Sequence, residues 1–168
     1  NGNGVPRIKR FLSELKFDGM APTSILFYKD VGHSQEGSQE VIKLFNDKGV
    51  FDGPKPVRLL ERLITLANLK DDSIVLDFFS GSATTAHALM KSNAEKETNR
   101  KFILVQIPEE ISEKKKTQGY KTICEIGKER IRRAGRKIKE DNPLTTQALD
   151  IGFRVLKLDS SNMQDVYY

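Results

Sequence analysis

A carboxylate at the end of an apolar run, followed at once by small residues, is the part of this sequence best suited to hold a ligand. The stretch is Val75-Leu76-Asp77-Phe78-Phe79-Ser80-Gly81-Ser82-Ala83-Thr84-Thr85-Ala86. Ser73 to Phe78 is an apolar run of strand length, with the look of a strand covered on both faces. Ser80-Gly81-Ser82-Ala83 are all small, so the backbone can turn sharply and a ligand can approach closely. Thr84 to Met90 reads as the opening of a helix. In open α/β sheets, ligands bind at the carboxyl ends of strands, beside the loops that lead into helices. Asp77 stands at that end. The G-x-G-x-x-G fingerprint of dinucleotide sites is absent, because Gly81 is the only glycine in the turn.

The elements that must position this turn lie on both sides of it. Upstream, Lys55-Pro56 opens an amphipathic helix. Pro56 suits a first-turn position, where the missing N–H costs nothing. Leu59, Leu60, Leu63, Ile64 and Ala67 would line one side, with Arg58, Glu61 and Arg62 polar. Downstream, the helix from Thr84 is expected to run to Lys91 and to be followed by a polar loop over 92–100. Lys101 to Pro108 reads as a second buried strand. Two strands joined by a helix make a βαβ unit, whose crossover should be right-handed. Glu109 to Thr117 reads as irregular. Thr122 to Lys139 reads as a long helix, with Ile123, Ile126, Ile131 and Ile138 apolar and Lys128, Arg130, Arg132, Arg133, Arg136 and Lys137 basic. Ile151 to Leu158 alternates like a half-buried strand.

The first third is less patterned. Pro6 to Phe17 could form a short basic helix, with Ile8, Phe11, Leu12 and Leu15 at helical spacing. Ser24 to Tyr28 reads as a short strand, residues 30–40 as a polar linker, Val41 to Phe45 as a helical turn or two, and 46–54 as a loop. His33 stands alone in the linker, where bonding to its own loop is the expectation rather than catalysis.

The 168 residues suffice for one ordinary domain, or a small domain with an arm. A net charge of +5 suits an anionic partner such as nucleic acid, although many unrelated proteins are equally basic. The single Cys124 excludes an internal disulfide and a cysteine-rich zinc site, and two histidines far apart argue against a metal centre. No apolar run approaches the roughly 20 residues of a membrane span, and no signal peptide is visible. A cytoplasmic setting is therefore expected. Asn1-Gly2-Asn3-Gly4 opens without a Met, which points to a fragment or a processed piece.

Asp77 to Ala86, D-F-F-S-G-S-A-T-T-A, resembles motif I of the amino-group DNA methyltransferases, D-x-F-x-G-S-G-T-T, which binds S-adenosylmethionine (SAM). Ala83 stands where many members carry glycine, a change expected to be mild, since alanine tolerates all but positive φ. Phe51 to Leu60 resembles motif X of the same enzymes. Motif X before motif I resembles the β-class circular order, in which catalytic motif IV, [D/N/S]-P-P-[Y/F/W], comes earlier. That tetrapeptide is missing here: Asn142-Pro143-Leu144 lacks both the second proline and the aromatic. Together with Phe27 to His33, Arg100 to Glu109, Ile123 to Ile131 and Gly152 to Asn162, these stretches resemble the Mod subunit of type III restriction–modification systems.

The resemblance implies an α/β chain with part of a Rossmann-like SAM-dependent methyltransferase fold, a mostly parallel sheet flanked by helices. Residues 1–48 would end a target-recognition or linker region, 49–160 would bind SAM, and 161–168 would be a truncated tail. Asp77 would accept from the ammonium end of SAM or orient the loop. Phe78, Phe79, Ser80, Gly81, Ser82, Ala83, Thr84 and Thr85 would surround the methionine moiety. Lys55, beside Pro56, would meet the carboxylate or remain an ordinary exposed lysine. Gln106 would bond the ribose without the charge of the family's usual acidic residue, and Pro108 would pack on the adenine or simply end the strand. The implied partners are double-stranded DNA and a Res subunit carrying nuclease and ATPase, with room for a homodimer and with no membrane. The activity would be adenine-N6 methylation, with this chain alone inactive. The rival reading is a non-catalytic DNA-binding or assembly module that works through its basic helices. A nicotinamide oxidoreductase is a third, disfavoured by the missing glycines.

Overall fold

The computed structural model describes residues 11, 22–48, 50–112 and 119–159. Helices α1 (Tyr28–Val31), α2 (Ser34–Phe45) and α3 (Val57–Leu66) precede strand β1 (Ile74–Asp77). Then follow helix α4 (Thr84–Lys96), strand β2 (Lys101–Leu104) and helix α5 (Ile123–Asp141). The strands pair in parallel, Ile74 against Lys101 through Asp77 against Leu104, so β1, α4 and β2 form the expected βαβ unit.

Helix α4 is the centre of the fold. Thr84, Thr85, Ala86, Ala88, Leu89, Met90, Ser92 and Asn93 are all buried along it. Its small residues let α3, α5 and the sheet approach on several sides. Val57 and Ile64 of α3 pack with Ala88 and Leu89, and Val75 and Phe102 of the sheet close that cluster. Ile131, Ala134 and Ile138 of α5 pack with Ala83, Ala86 and Met90. Val41 and Phe45 of α2 meet Val50 and Ile126 in a third cluster.

Several expectations are corrected. Ser24 to Tyr28 is no strand: residues 24–25 bend and Tyr28 starts α1. The expected linker over 30–40 is helical from Ser34. There His33 is the N-cap and its Nδ1 accepts from the Glu36 N–H at 3.2 Å, the local bonding foreseen for it. On α3 the inward stripe runs through Val57, Leu60 and Ile64, while Leu63 and Ala67 are exposed. Helix α4 continues five residues past Lys91 because its polar side chains find buried partners. Asn93 accepts from the Thr98 hydroxyl and the Arg100 N–H and donates to the Arg100 carbonyl at 2.8 Å. The buried Arg100 guanidinium in turn donates to Ser92 Oγ and to the carbonyls of Leu69 and Lys70. Residues 151–158 form no ladder among the described residues, although Ile151 and Phe153 do pack on the α4–α5 cluster. The basic helix expected over 6–17 lies, apart from Phe11, outside the described residues.

The sheet differs most from expectation. Both strands alternate in burial, with one face against the helices and the other bare. Ile74, Leu76 and Ile103 are 61%, 59% and 51% exposed. The sequence has the apolar content of a parallel strand covered twice, but the described residues supply helices for one face only.

Candidate cofactor-binding site

The turn after β1 is stitched to both strand ends. Val105 N–H donates to the Asp77 carbonyl at 2.8 Å, and Ser80 N–H donates back to the Val105 carbonyl at 3.3 Å. One Asp77 carboxylate oxygen accepts from Phe79 N–H at 3.1 Å, the other from the Thr85 hydroxyl at 2.5 Å. Asp77 thus orients the loop and the first turn of α4 together. A carboxylate offers about four acceptor sites, so two remain for a ligand. From the other strand, Gln106 Oε1 accepts from Gly81 N–H at 2.7 Å.

Two residues of the turn are left-handed, Gly81 (φ 50°) and Ala83 (φ 61°, ψ 38°). Ala83 is the N-cap of α4 and its side chain makes no cap. The substitution is therefore not mild here: alanine takes the positive φ that it tolerates worst, at a cost of about 1–2 kcal/mol. Arg130 lies directly behind it. This α5 side chain is 0% exposed, and its Nη1 donates to Ser82 Oγ and to Thr84 Oγ1, each at 2.8 Å.

The facing wall is the segment before α3, and α2 sets it. A Cβ on Gly37 would lie 2.2 Å from the Pro54 carbonyl oxygen, so only glycine lets α2 and this segment touch. Three residues on, Glu40 Oε2 accepts from Val57 N–H at 2.9 Å and fixes the start of α3. Arg58 pairs with Glu36 at 2.6 Å. Between the walls is a cleft of about 210 Å3. Phe51, Gly53, Pro54, Lys55 and Leu60 line one side of it; Asp77, Phe79, Thr84, Thr85 and residues 80–82 line the other. Sites for drug-sized ligands run to roughly 300–1,000 Å3, so this cleft accommodates one end of such a molecule.

The remaining candidate residues stand apart from the cleft lining. Pro56 is buried as the N-cap of α3. Ala83 is buried behind the turn. Phe78 is 63% exposed and packs on the Phe79 ring. The Gln106 amide bonds the turn through Oε1 and the Ile107 carbonyl through Nε2, which leaves one lone pair and one N–H for a ligand. Pro108 is exposed. Sequence reasoning missed Arg130 as a site residue by counting it among the surface cations of α5. Its spacing of four from Ile126 and Ala134, and of eight from Ile138, places it on the buried stripe.

Charge under the turn is positive. Burial lowers the Arg130 guanidinium from 12.5 to about 10, with the Glu40 carboxylate opposing the shift. Burial, then the charges of Arg130 and Lys91, lower the His87 imidazole to about 3. His87 is therefore neutral at physiological pH. The first-turn N–H groups of α4, which have no intrahelical partners, add partial positive charge at the cleft. Hydroxyls, free N–H groups and Lys55 on one cleft suit an anionic group; the spare lone pairs of Asp77 suit a cationic one beside it.

Comparison with known proteins identifies the family. A DNA methylase family matches residues 13–142. The chain is 43% identical over 166 residues to the type III restriction-modification enzyme StyLTI Mod subunit of Salmonella typhimurium, covering 98% of this chain and 24% of that protein. It is 38% identical over 137 residues to the EcoPI Mod subunit of Escherichia phage P1, covering 80% of this chain and 20% of that one. It is 34% identical over 104 residues to the type II methyltransferase M.KpnI of Klebsiella pneumoniae, covering 62% and 24%. The chain thus spans a quarter or less of the length of these relatives. A parallel βαβ unit with a ligand-sized turn at its carboxyl end, and this match over most of its length, place the chain in the DNA methylase family, with that family's Rossmann-like methyltransferase fold and a marked similarity to type III Mod subunits.

Proposed function

We propose that this chain is the cofactor-binding part of an adenine-N6 DNA methyltransferase of the type III Mod kind, and that the cofactor is SAM. The observation that carries the reading is convergence. Asp77, the turn 79–82 and the start of α4 meet Lys55 across one cleft, although the two walls are separate in sequence. The group supplies an electrophilic methyl on a sulfonium when bound. The protein's part is to hold its methionine end. Lys55, the first-turn N–H groups of Thr84 and Thr85 and the Thr84 hydroxyl face the carboxylate, and Asp77 accepts from the ammonium. Gln106 and Pro108 remain proposed contacts for the ribose and adenine.

In the whole protein the methyl would pass to the exocyclic amine of an adenine flipped out of duplex DNA. The D-P-P-Y-type tetrapeptide that would receive that base is not among the 168 residues. Alone, the chain should bind without turnover. A Res partner and DNA belong to the same proposal, as does assigning residues 49–160 to cofactor binding.

The rival DNA-binding reading is weakened, not excluded, by ion pairs along α5. Arg130 is buried, and Glu129 pairs with Arg132, Arg133 and Arg136, while Asp141 pairs with Lys137. These pairs lower, without removing, the positive charge that the helix offers to phosphate. Calorimetric titration with S-adenosylhomocysteine tests the cofactor reading. Saturable heat is expected, weakened at least tenfold by Asp77→Ala, which strips the acceptor from both Phe79 N–H and the Thr85 hydroxyl. No heat at high ligand concentration would refute it.

A further inference from the structure

Arg130 is an expensive residue to bury. Its side chain is fully enclosed, and Nε and Nη2 have no hydrogen-bond partner among the described residues. No carboxylate forms an ion pair with it there either: the nearby Glu40 carboxylate is bonded to the Val57 N–H instead. A buried, unpaired guanidinium is costly, and an aliphatic side chain in its place would pack without that cost. What Arg130 does make is one bridge. The same Nη1 reaches the hydroxyls of Ser82 and Thr84, the two residues that flank left-handed Ala83. The bridge therefore spans the strained residue from one neighbour to the other. Strained backbone persists only where its surroundings over-determine it.

We propose that Arg130 is a positioning residue, clamping the hydroxyls on either side of Ala83 so that the turn keeps the shape in which the α4 N-terminus faces the cleft. The role of the clamp in ligand binding rests on the cofactor reading above; the clamping of Ala83 does not. Where other sequences of this motif place glycine, the left-handed turn costs little. In this chain alanine occupies the position, and the conformation is held from behind by α5. The clamp also brings a fixed positive charge beneath the first turn of α4, behind the residues that line the cleft. Lysine at 130 would keep the charge but, being shorter, would not carry a donor as far as the position that Nη1 holds between the two hydroxyls.

Two measurements on the full 168-residue chain test this. The first is ligand-free: carbon-13 shifts of labelled alanine report whether Ala83 stays left-handed. It should do so in the native chain and leave that region in Arg130→Met. The second is titration with S-adenosylhomocysteine. Arg130→Met should lose at least tenfold in affinity and Arg130→Lys less. The loss caused by Arg130→Met should shrink at least threefold when it is made in an Ala83→Gly background. A purely structural role for Arg130 would not couple to that glycine. Should Arg130→Met not fold, Ser82→Ala, which withdraws one acceptor and leaves the guanidinium in place, decides by the same two readouts. An unchanged Ala83 shift, or losses that add independently of the Ala83→Gly change, overturns the proposal. If the native chain binds no S-adenosylhomocysteine, the cofactor reading falls, and the Ala83 shift alone decides the clamp.

Discussion

Replacing Gly37 with alanine separates the two things a helical glycine can be. At an exposed, uncrowded position the change stabilises a helix by about 1 kcal/mol. Gly37 is buried on α2, and its new Cβ would sit 2.2 Å from the Pro54 carbonyl oxygen and 2.9 Å from both Lys55 C and Pro56 N. All three are backbone atoms, so no side chain can swing away. Contact needs about 3.5 Å, so α2 and the segment must part by about 1 Å. Overpacking of this kind costs about 1–3 kcal/mol. The separation also stretches the Glu40–Val57 bond, whose complete loss would cost a further 1.5–3 kcal/mol or so. With about half of that bond's contribution lost, the middle of these ranges less the propensity gain leaves a net destabilisation of about 2 kcal/mol. Urea unfolding of native chain and variant measures it, and titration with S-adenosylhomocysteine should show weaker binding, because Lys55 moves with the segment. An increase in stability would refute the reasoning, since it would mean that α2 does not rest on residues 54–56.

Two further outcomes follow from the interior. The folded His87 imidazole takes its proton at about 3, against 6.5 for a free histidine. The unfolded chain is thus protonated first, and stability is full above pH 6.5 and falls as the pH drops toward 3. At pH 5 the loss is about 2 kcal/mol; comparing urea unfolding at pH 7 and pH 5 should show it, and His87→Gln should remove that part of the slope. Arg100→Met strands the carbonyls of Leu69 and Lys70 and the Ser92 hydroxyl. It should cost about 3 kcal/mol by thermal or chemical unfolding; a change below about 0.5 kcal/mol, the level of an ordinary surface substitution, would contradict the packing described.

The centre of this fold was legible because its periodicity switches abruptly. Apolar Ile74 to Leu76, a carboxylate, small residues and then Thr84 onward can be little else than strand, turn and helix. Lys55 was legible through its proline. What stayed hidden depends on partners distant in sequence. Serines and a glycine made residues 34–40 look like a linker, yet Gly37 is there to be touched by Pro54. Ser92 and Asn93 looked like the end of a helix, yet Arg100 makes them interior. The left-handed φ of Ala83 is a backbone property that side-chain type argued against. Arg130 was counted among the cations of its helix, although its four-residue spacing from Ile126 and Ala134 marked it as buried.

The bare side of the sheet has a thermodynamic consequence. Ile74, Leu76 and Ile103 project from it, and Val105 and Ile107, 41% and 67% exposed, continue the alternation. Covering a large aliphatic side chain gains about 1.5–3 kcal/mol. For this row the gain forgone is of the same order as the roughly 5–15 kcal/mol that separates a folded domain from its unfolded chain. Any partner that covers this row would therefore raise the unfolding free energy by mass action, and the dependence of the melting temperature on protein concentration tells whether a second copy does so.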